Sequence, residues 1–302
     1  MSSIRKQIMK QESFKINLYN YNVYFWGDKK NPPLYFLHGW MDSGANFHYV
    51  AEVLKEKFFV IAPDLRGHGR TDNIKDPLGN RFYDYVADFY ELHQLFHSGQ
   101  PIDLVGHSMG GNIGLLYSGT FPELVNNFVN IEGLGIPNNR FDEGPDKMRR
   151  WIEQERNPEL IKYPSVDLLR KNLQKKSPYM TDEVLNWVVQ HLGETSGSDR
   201  SYTLRADPKL RHVHPHIYQW EIIQPFLQKI KASFYFIYGE ETFQRQKDSL
   251  PLSFKEQWDK RIQELPEQSI IKTIPLCGHM VHYEKPIQLA EIINEFLGVK
   301  NA

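Results

Sequence analysis

The stretch that decides the fold is Ile102-Asp103-Leu104-Val105-Gly106-His107-Ser108-Met109-Gly110-Gly111. The apolar run at residues 102–105 predicts a buried strand, and residues 110–120 have the length and composition of a helix. Gly106-His107-Ser108-Met109-Gly110 joins the two as a G-x-S-x-G sequence, which is typical of a nucleophile elbow. Glycine on both sides of the serine permits a sharp turn that projects the Ser108 hydroxyl into a cleft. Ser108 is therefore the candidate nucleophile.

Short apolar runs and helix-length stretches alternate along most of the chain. The runs lie at residues 34–37, 58–62, 102–105, 128–131, 234–238 and 269–274 and are typical of buried parallel strands. Helices are predicted at residues 44–55, 83–96, 110–120 and 287–297. This alternation predicts an α/β fold with a doubly wound, mostly parallel sheet.

Before the first of these runs, residues 14–26 alternate polar and apolar side chains. The pattern around Tyr19-Asn20-Tyr21-Asn22 predicts two antiparallel strands joined by a turn. We expect this pair of strands at the edge of the sheet.

The alternation of strands and helices breaks between residues 134 and 225. Strand-like runs are absent there, and amphipathic helical patterns occur at residues 148–155, 165–174 and 182–191. We interpret this segment as a helical cap inserted into the sheet, so that residues 1–133 and 226–302 form the core and residues 134–225 form the cap. An insertion of this kind covers the carboxyl ends of the strands, where ligands bind in open α/β sheets.

Charge and cysteine content exclude several classes of function. The chain has 36 Lys and Arg against 37 Asp and Glu, without a long basic block, so it has no electrostatic footprint for nucleic acid or an anionic membrane. Its one cysteine, Cys277, excludes an internal disulfide and a multi-cysteine metal site. No run of about 18 apolar residues occurs, and Met1 to Gln7 lead into polar sequence. We expect a cytoplasmic protein without membrane insertion.

A histidine-rich segment, His212-Val213-His214-Pro215-His216, has a spacing that could suggest a metal site. Metal-binding histidines usually have companion carboxylates or cysteines nearby, and this segment has none. Pro215 also favours an irregular loop. We therefore predict a solvated loop here, and we expect neither a metal nor an organic cofactor.

The segment His38-Gly39-Trp40 follows the predicted strand at residues 34–37. At this position a backbone N–H can supply the second donor of an oxyanion hole. We assign the hole to the backbone amides of Trp40 and Met109. His38 itself is interpreted as a structural residue that holds the loop.

A late histidine, His279, lies in a loop just after the last predicted strand. Histidine side chains have an ordinary pKa of about 6.5, which suits a general base that takes a proton from serine and returns it to a leaving group. His282 is a local rival, but a helix or turn would direct its side chain elsewhere. His279 is the candidate base.

Together these segments resemble the α/β-hydrolase superfamily. Its members have a similar HG-x loop, a D-x-R-G-x-G-x-S/T loop matched here by Asp64-Leu65-Arg66-Gly67-His68-Gly69-Arg70-Thr71, a G-x-S-x-G elbow and a late histidine. The resemblance covers nearly the whole chain, although the cap is less diagnostic. It implies that the loop from Asp64 to Asp72 is structural and has no catalytic role.

The same resemblance implies an Asp three residues after a glycine at the end of the penultimate strand. Here the glycine is Gly239 and that position holds Thr242, with Glu240 and Glu241 beside it. Some superfamily members, including certain haloalkane dehalogenases, place the acid after an earlier strand, where this chain has Glu132.

The segment Glu132-Gly133-Leu134-Gly135 resembles the I-E/D-G-L-G stretch of serine hydrolase-like proteins, and Arg205-Ala206-Asp207-Pro208-Lys209-Leu210 resembles a cap motif of that group. We therefore predict Ser108, Glu132 and His279 as the triad, with Glu241 or Glu240 as the alternative acid.

These residues predict a serine hydrolase that cleaves a carboxylic ester through an acyl-enzyme. The expected partner is a small-molecule substrate with a small or medium apolar acyl group. Thioesters, lactones and carbon–carbon bonds stay open as targets, and so does the oligomeric state. A serine nucleophile argues against dehalogenase and epoxide-hydrolase chemistry, which use an Asp at that position. The alternative is a non-catalytic ligand-binding protein on a hydrolase fold, for which Thr242 in place of Asp is the best support.

Overall fold

The computed structural model describes residues 9–195, 200–246, 250–251 and 253–298. The polar N-terminal stretch Met1 to Gln7, named in the sequence analysis, lies outside the described residues. None of the helices that the structure describes is both long enough and apolar enough to cross a lipid bilayer.

Most of the strands in the described ranges belong to one central sheet. The strands are β1 (Lys10–Ile16), β2 (Tyr19–Trp26), β3 (Pro33–Leu37), β4 (Phe59–Pro63), β5 (Ile102–His107), β6 (Val125–Ile131), β7 (Lys162–Tyr163), β8 (Gly193–Thr195), β9 (Tyr202–Leu204), β10 (Ser233–Gly239) and β11 (Ile270–Ile274). Eight of them form a sheet in the order β1-β2-β4-β3-β5-β6-β10-β11. The pairs β1–β2 and β2–β4 are antiparallel, and all other neighbours in this sheet are parallel. The predicted mostly parallel α/β sheet is confirmed.

Helices connect the parallel strands and also build the segment between β6 and β10. They are α1 (His48–Leu54), α2 (Phe82–His97), α3 (Met109–Thr120), α4 (Gly144–Glu153), α5 (Val166–Lys176), α6 (Asp182–Leu192), α7 (Trp220–Leu227), α8 (Thr242–Arg245), α9 (Ser253–Gln263), α10 (Val281–Glu284) and α11 (Pro286–Gly298), with short 3₁₀ helices at Gly44–Phe47, Phe141–Glu143 and Pro208–Arg211.

Two apolar layers cover the two faces of the central sheet. One layer includes Phe89 of α2 and Ile113 of α3, and the other includes Val50 of α1 and Ile293 of α11. Because both faces are covered, β3 to β6 are buried almost throughout, which explains their continuous apolar sequences. Each fully buried Val, Leu or Ile side chain stabilises the fold by about 1.5–3 kcal/mol relative to its exposed state.

The first two strands form the edge of the sheet as expected, but the turn lies earlier than predicted. Ile16 pairs with Tyr19, so Asn17 and Leu18 form the turn and the stretch from Tyr19 to Asn22 belongs to β2. Asn17 has φ 51°, a left-handed conformation that asparagine tolerates better than most residues. Burial of Tyr19 and Tyr21 against the core places them in the strand.

The segment between β6 and β10 contains the predicted helices as α4, α5 and α6, but the expectation that it lacks strands is wrong. Strands β7, β9 and β8 form a small antiparallel sheet there. Strands of two or three residues are too short to produce a recognisable alternation of polar and apolar side chains. Helix α7 crosses residue 225, so the division of the chain into core and cap stays a prediction.

Candidate active site

Ser108 stands in the sharp turn between β5 and α3, at φ 52° and ψ −111°. The turn requires its glycines, because a Cβ on Gly106 would lie 2.4 Å from the Gly110 carbonyl oxygen and a Cβ on Gly110 would lie 2.0 Å from the Leu37 carbonyl oxygen. The Ser108 N–H donates to the Ile131 carbonyl at 2.7 Å. A non-glycine residue at positive φ costs about 1–3 kcal/mol, and the packed turn holds Ser108 in place despite this cost.

His279 lies in the loop between β11 and α10 and reaches Ser108. Its Nε2 is 3.0 Å from Ser108 Oγ. The loop is tied to the elbow, since His107 Nε2 donates to the His279 carbonyl at 2.8 Å. A quarter of the His279 side chain is exposed, which leaves the ring accessible from the cleft.

Glu132 directly follows β6 and lies on the other side of the His279 ring. Its Oε2 is 3.1 Å from His279 Nδ1. The second oxygen, Oε1, accepts hydrogen bonds from the Gly239 N–H at 2.7 Å and the Thr242 hydroxyl at 2.5 Å. The Glu132 N–H donates to the Ile237 carbonyl, and the side chain is fully buried.

These contacts form one hydrogen-bonded chain of Ser108, His279 and Glu132, which we call the Ser–His–Glu cluster. An ionised carboxylate only accepts hydrogen bonds, so the proton on the His279 ring belongs on Nδ1. Nε2 then accepts the Ser108 hydroxyl proton. The structure thus brings together the three residues named from the sequence.

The two alternative acids, Glu240 and Glu241, lie in other surroundings. Glu241 bonds to Arg245, whose Nε is 2.9 Å from Glu241 Oε2, and Arg245 also bonds to Glu284. The side chain of Glu240 is exposed. Within the described ranges neither side chain hydrogen-bonds to His279. Thr242 occupies the position at which the resemblance implied an Asp, and it donates to the acid instead of replacing it.

A second carboxylate–histidine pair lies beside the cluster, and it was missed from the sequence. His282 Nε2 is 2.9 Å from Asp42 Oδ2, and Asp42 Oδ1 accepts from Tyr283 at 2.6 Å and Asn46 at 2.6 Å. The His282 side chain is therefore directed away from Ser108, as expected. Burial alone raises the pKa of Asp42, but hydrogen bonding and attraction to His282 outweigh it and place that pKa well below its ordinary range.

Asp42 and His282, with His107, also form a possible metal-ligand group, the one such group among the residues that the structure describes. One ligand atom from each side chain lies within 4.8 Å of the others. Both Asp42 oxygens and one nitrogen of each ring already take part in hydrogen bonds. We therefore interpret this group as a support for the His279 loop. The histidines of the segment from His212 to His216 do not assemble into such a group in the described residues.

The loops after β3 and β4 are built around two buried side chains. His38 Nδ1 donates to the Gly39 carbonyl at 2.7 Å, and Nε2 accepts from the Leu65 N–H at 2.9 Å. Burial lowers the pKa of His38, which matches a neutral ring that both donates and accepts. Asp64 accepts from Ser43 Oγ at 2.6 Å and from the Gly44 N–H at 2.9 Å. Both residues hold loop geometry.

Trp40 and Met109 line the same cavity as Ser108. Met109 is the first residue of α3, where helix N–H groups have no partner within the helix and the helix dipole favours negative charge. No hydrogen bond from the Trp40 or Met109 N–H to another described residue occurs. Both donors are therefore available to a ligand. The Trp40 indole N–H donates to the Leu210 carbonyl at 3.2 Å, which ties this loop to the segment between β6 and β10.

The cavity above the cluster has a volume of about 440 Å³, within the range of small-molecule sites. Ser108 and His279 line its floor, Ile136 and Pro137 approach from the segment that follows β6, and α9 closes one side. Most other lining residues are apolar, among them Phe82, Phe243, Leu250, Phe254 and Trp258. The arrangement places a serine hydroxyl, hydrogen-bonded to a histidine ring, in a largely apolar cleft.

Comparison with known proteins agrees with this architecture. The family described as alpha/beta hydrolase fold matches residues 32–161. Serine hydrolase-like protein 2 of Homo sapiens is 24% identical over 282 residues, which cover 90% of this chain and 88% of that protein. A serine hydrolase-like protein of Dictyostelium discoideum is 25% identical over 288 residues, which cover 90% of this chain and 77% of that protein.

Solved structures show the same fold. A hypothetical protein of Pseudomonas aeruginosa PAO1 superimposes with a TM-score of 0.82 at 19% identity and covers 96% of this chain and 99% of its own. The thioesterase domain from the curacin biosynthetic pathway superimposes with a TM-score of 0.79, also at 19% identity, and covers 95% of this chain and 99% of its own. The chain thus has the α/β-hydrolase fold and resembles serine hydrolase-like proteins.

Proposed function

We propose that this protein is a serine hydrolase that cleaves a carboxylic ester through an acyl-enzyme intermediate. Ser108 is the nucleophile, His279 the general base and Glu132 the acid. The observation that carries the proposal is the unbroken hydrogen-bonded chain from Ser108 Oγ through the His279 ring to Glu132, with separations of 3.0 and 3.1 Å. The Ser108 end of this hydrogen-bonded chain faces a cavity large enough for a small ester.

In the first half of the reaction, Ser108 Oγ attacks the ester carbonyl carbon while its proton passes to His279 Nε2. The imidazolium that forms is stabilised by the Glu132 carboxylate. The negative charge that develops on the carbonyl oxygen is held by the N–H groups of Trp40 and Met109. Losing one such donor typically costs about 10²–10³ in kcat. The bond to the alcohol oxygen then breaks, and that oxygen takes the proton from His279.

In the second half, a water molecule attacks the acyl-enzyme. His279 Nε2 accepts a proton from this water, the same two N–H groups hold the second oxyanion, and Ser108 leaves with the proton returned to its Oγ. These steps use side chains and backbone amides of this chain. They release one acid and one alcohol for each water consumed.

Glu132 is suited to its role because three donors hold its carboxylate. His279 contacts one oxygen, and Gly239 and Thr242 contact the other. A side chain held at both oxygens fixes the orientation of the imidazole ring that it contacts. Since Glu132 bonds to His279, the missing Asp at position 242 no longer supports the non-catalytic alternative.

The walls of the cavity favour an apolar acyl group of small or medium size. Phe243, Phe254 and Trp258 line one side. A thioester is the second candidate bond, because one protein with the same fold is a thioesterase domain. The single cysteine, Cys277, is buried and unpaired. Because proteins of reducing compartments generally lack disulfides, we propose a cytoplasmic location.

The test is hydrolysis of p-nitrophenyl esters of increasing acyl length by the purified protein, with Ser108→Ala as the matched control. We expect turnover that falls by about 10⁶-fold in the variant, as for nucleophile removal in other serine hydrolases. The dependence on acyl length measures the size of the acyl pocket. Equal turnover by both proteins would contradict Ser108 as nucleophile. No turnover on any ester or thioester would favour the ligand-binding alternative.

A further inference from the structure

A second cavity, of about 470 Å³, adjoins the one above Ser108. Its walls come from the start of α2, from α4 and from the segment that precedes α7. Four of its lining residues carry basic side chains: Arg81, Lys147, His214 and His216. Two of them belong to the histidine-rich segment that we predicted to be a solvated loop, so this loop has a defined place in the fold.

The two cavities share part of their walls. Phe82 and Ile136 line both of them, and they also line a narrow space of about 90 Å³ with Tyr218 and Ile223. The walls of this narrow space are mostly apolar. An extended molecule that passes Phe82 and Ile136 would therefore have one end at Ser108, an apolar middle, and its other end among the basic side chains.

The second cavity has a cationic lining residue, Lys147, without a matching carboxylate in the described residues. No Asp or Glu is among the described residues that line it. Lys147 is half-buried, its Nζ donates to Asn139 Oδ1 at 2.6 Å, and it has no carboxylate within 4.0 Å in the described part of the chain. Arg81 differs in this respect, since its Nε lies 3.4 Å from Asp84. An anionic ligand would therefore stabilise the charged form of Lys147 more than that of Arg81, which already has a carboxylate partner.

The titration behaviour of the lining residues agrees with this geometry. Burial lowers the pKa of Lys147, and the more distant Glu143 opposes that effect only in part. Burial, with the nearby His216, His212 and Lys147, also lowers the pKa of His214. A bound anion would offset both effects, because an opposite charge stabilises the protonated form of each group.

We propose that the second cavity binds an anionic group of the substrate, so that this hydrolase prefers amphiphilic esters with an apolar segment and a carboxylate or phosphate at the far end. That the substrate is an ester rests on the proposed function. That the substrate carries a negative charge rests on the second cavity. The anion can belong to the acyl chain or to the alcohol, and the chemistry that recognises it is the same in both cases.

The first test compares two esters of the same linear dicarboxylic acid. Both carry a p-nitrophenyl group at one end, while the other end is a free carboxylate in one and a methyl ester in the other. A chain long enough to reach Lys147 should give kcat/KM about tenfold higher for the anionic ester, as expected for one charge-assisted hydrogen bond. Equal values at every chain length would overturn the proposal for an acyl-side anion.

A second arm places the anion on the alcohol. Acetate esters of linear ω-hydroxy acids are compared with the same compounds carrying a methylated carboxyl group, and the release of acetate itself is measured by chromatography. If only these acetate esters show faster turnover of the anionic member, the second cavity binds the alcohol part of the substrate. If only the p-nitrophenyl esters show it, the second cavity binds the acyl part. Absence of any preference in both arms overturns the proposal.

The matched variants are Lys147→Met and Lys175→Met. Lys175 is an exposed residue of α5 that does not line the cavity. We expect Lys147→Met to lose most of the roughly tenfold preference for the anionic ester and Lys175→Met to keep it. Lys147→Arg should restore a preference, since it restores the charge. A preference that survives Lys147→Met unchanged contradicts the assignment of the anion to this cavity.

Direct binding separates this proposal from the proposed hydrolysis. The same ester pairs are titrated calorimetrically into Ser108→Ala protein, with and without Lys147→Met. Tighter binding of the anionic member by about tenfold, dependent on Lys147, supports the anion site whether or not the wild-type protein turns the ester over. Turnover of neutral esters without such a difference would support the hydrolase and reject the anion site.

Discussion

The molecule contains two carboxylate–histidine pairs whose histidines are three residues apart, Glu132 with His279 and Asp42 with His282. In each pair a ring nitrogen lies close to a carboxylate oxygen, at 3.1 and 2.9 Å respectively. The rings differ in what their second nitrogen meets. That of His279 meets Ser108 in the cleft, whereas that of the buried His282 has no partner in the described residues.

In the proposed mechanism only the first of these two carboxylate–histidine pairs supplies a general base, because only its ring reaches Ser108. His279 lies in a loop before α10, which leaves its ring at the wall of the cavity. His282 belongs to α10, where its ring faces the interior and joins the helix to the loop that carries Asp42. The first pair therefore contacts the Ser108 hydroxyl at the cavity, and the second joins α10 to the loop that carries Asp42.

The two pairs should differ most when each histidine is removed in turn. We expect His279→Ala to lower kcat for ester hydrolysis by about 10⁶-fold, the loss seen when a catalytic histidine is removed from a serine hydrolase. His282→Ala should retain most of kcat and lose stability instead. The measurement is kcat on a p-nitrophenyl ester, with circular dichroism to verify folding. Similar losses of kcat in two folded variants would show that the pairs do not differ in role.

The variants Glu132→Gln and Glu241→Gln test which of the two carboxylates acts as the acid of the triad. An amide at position 132 no longer holds the imidazole in the required tautomer, so we expect kcat to fall by about 10⁴-fold. Glu241→Gln should leave kcat near that of the wild type, because Glu241 bonds to Arg245. Single-turnover release of p-nitrophenol measures the acylation step in both variants. A near-wild-type rate for Glu132→Gln would move the acid to Glu241.

The support role of the second pair is tested by Asp42→Asn. The substitution removes the buried charge that accepts from His282, Tyr283 and Asn46. Loss of a hydrogen bond to a charged group typically costs about 1.5–3 kcal/mol in the free energy of unfolding, measured here by urea titration. The folded-state pKa of Asp42 is lowered, so its contribution is complete above the unfolded pKa of about 3.9 and is lost as the pH falls below it. The difference between wild type and variant should therefore shrink at acidic pH. A difference that does not depend on pH would contradict this role for the Asp42 carboxylate.

The smallest expected effect concerns the hydroxyl that holds Glu132. Thr242→Val removes the donor to Glu132 Oε1 while keeping the side-chain shape. We expect kcat to fall by about tenfold, the equivalent of one hydrogen bond to a charged group. Thr242→Ser keeps the donor and should keep the rate. If valine and serine at this position behave alike, the hydroxyl does not position the acid.

The sequence predicts the sheet and the residues of the cluster because both depend on short-range patterns. Glycines around Ser108 are required because a Cβ on Gly106 would clash within the turn and a Cβ on Gly110 would clash with the end of β3, so the motif reflects the geometry of the elbow. Glu132 is named from a resemblance, and the structure shows the physical basis for its position. Its N–H bonds to the Ile237 carbonyl, which carries the side chain toward His279.

Other features depend on contacts between residues far apart in the chain, which sequence patterns do not record. The Asp42–His282 pair joins positions 240 residues apart. Thr242 stands out in the sequence only as a missing Asp, and its bond to Glu132 requires the positions of β6 and β10. The second cavity likewise depends on how α4 and the histidine-rich segment pack over α2, and none of its lining residues belongs to a motif of the family.

The anchoring of the cluster has a consequence for evolution. Ser108 and Glu132 are fixed through their backbones to β6 and β10, by bonds from Ser108 to Ile131 and from Glu132 to Ile237. Substitutions in the segment over the cleft leave these bonds untouched, so mutation can explore new ligand preferences there without disturbing the reaction chemistry. Descendants of this chain can therefore diversify in what they hydrolyse while inheriting an unchanged way of hydrolysing it.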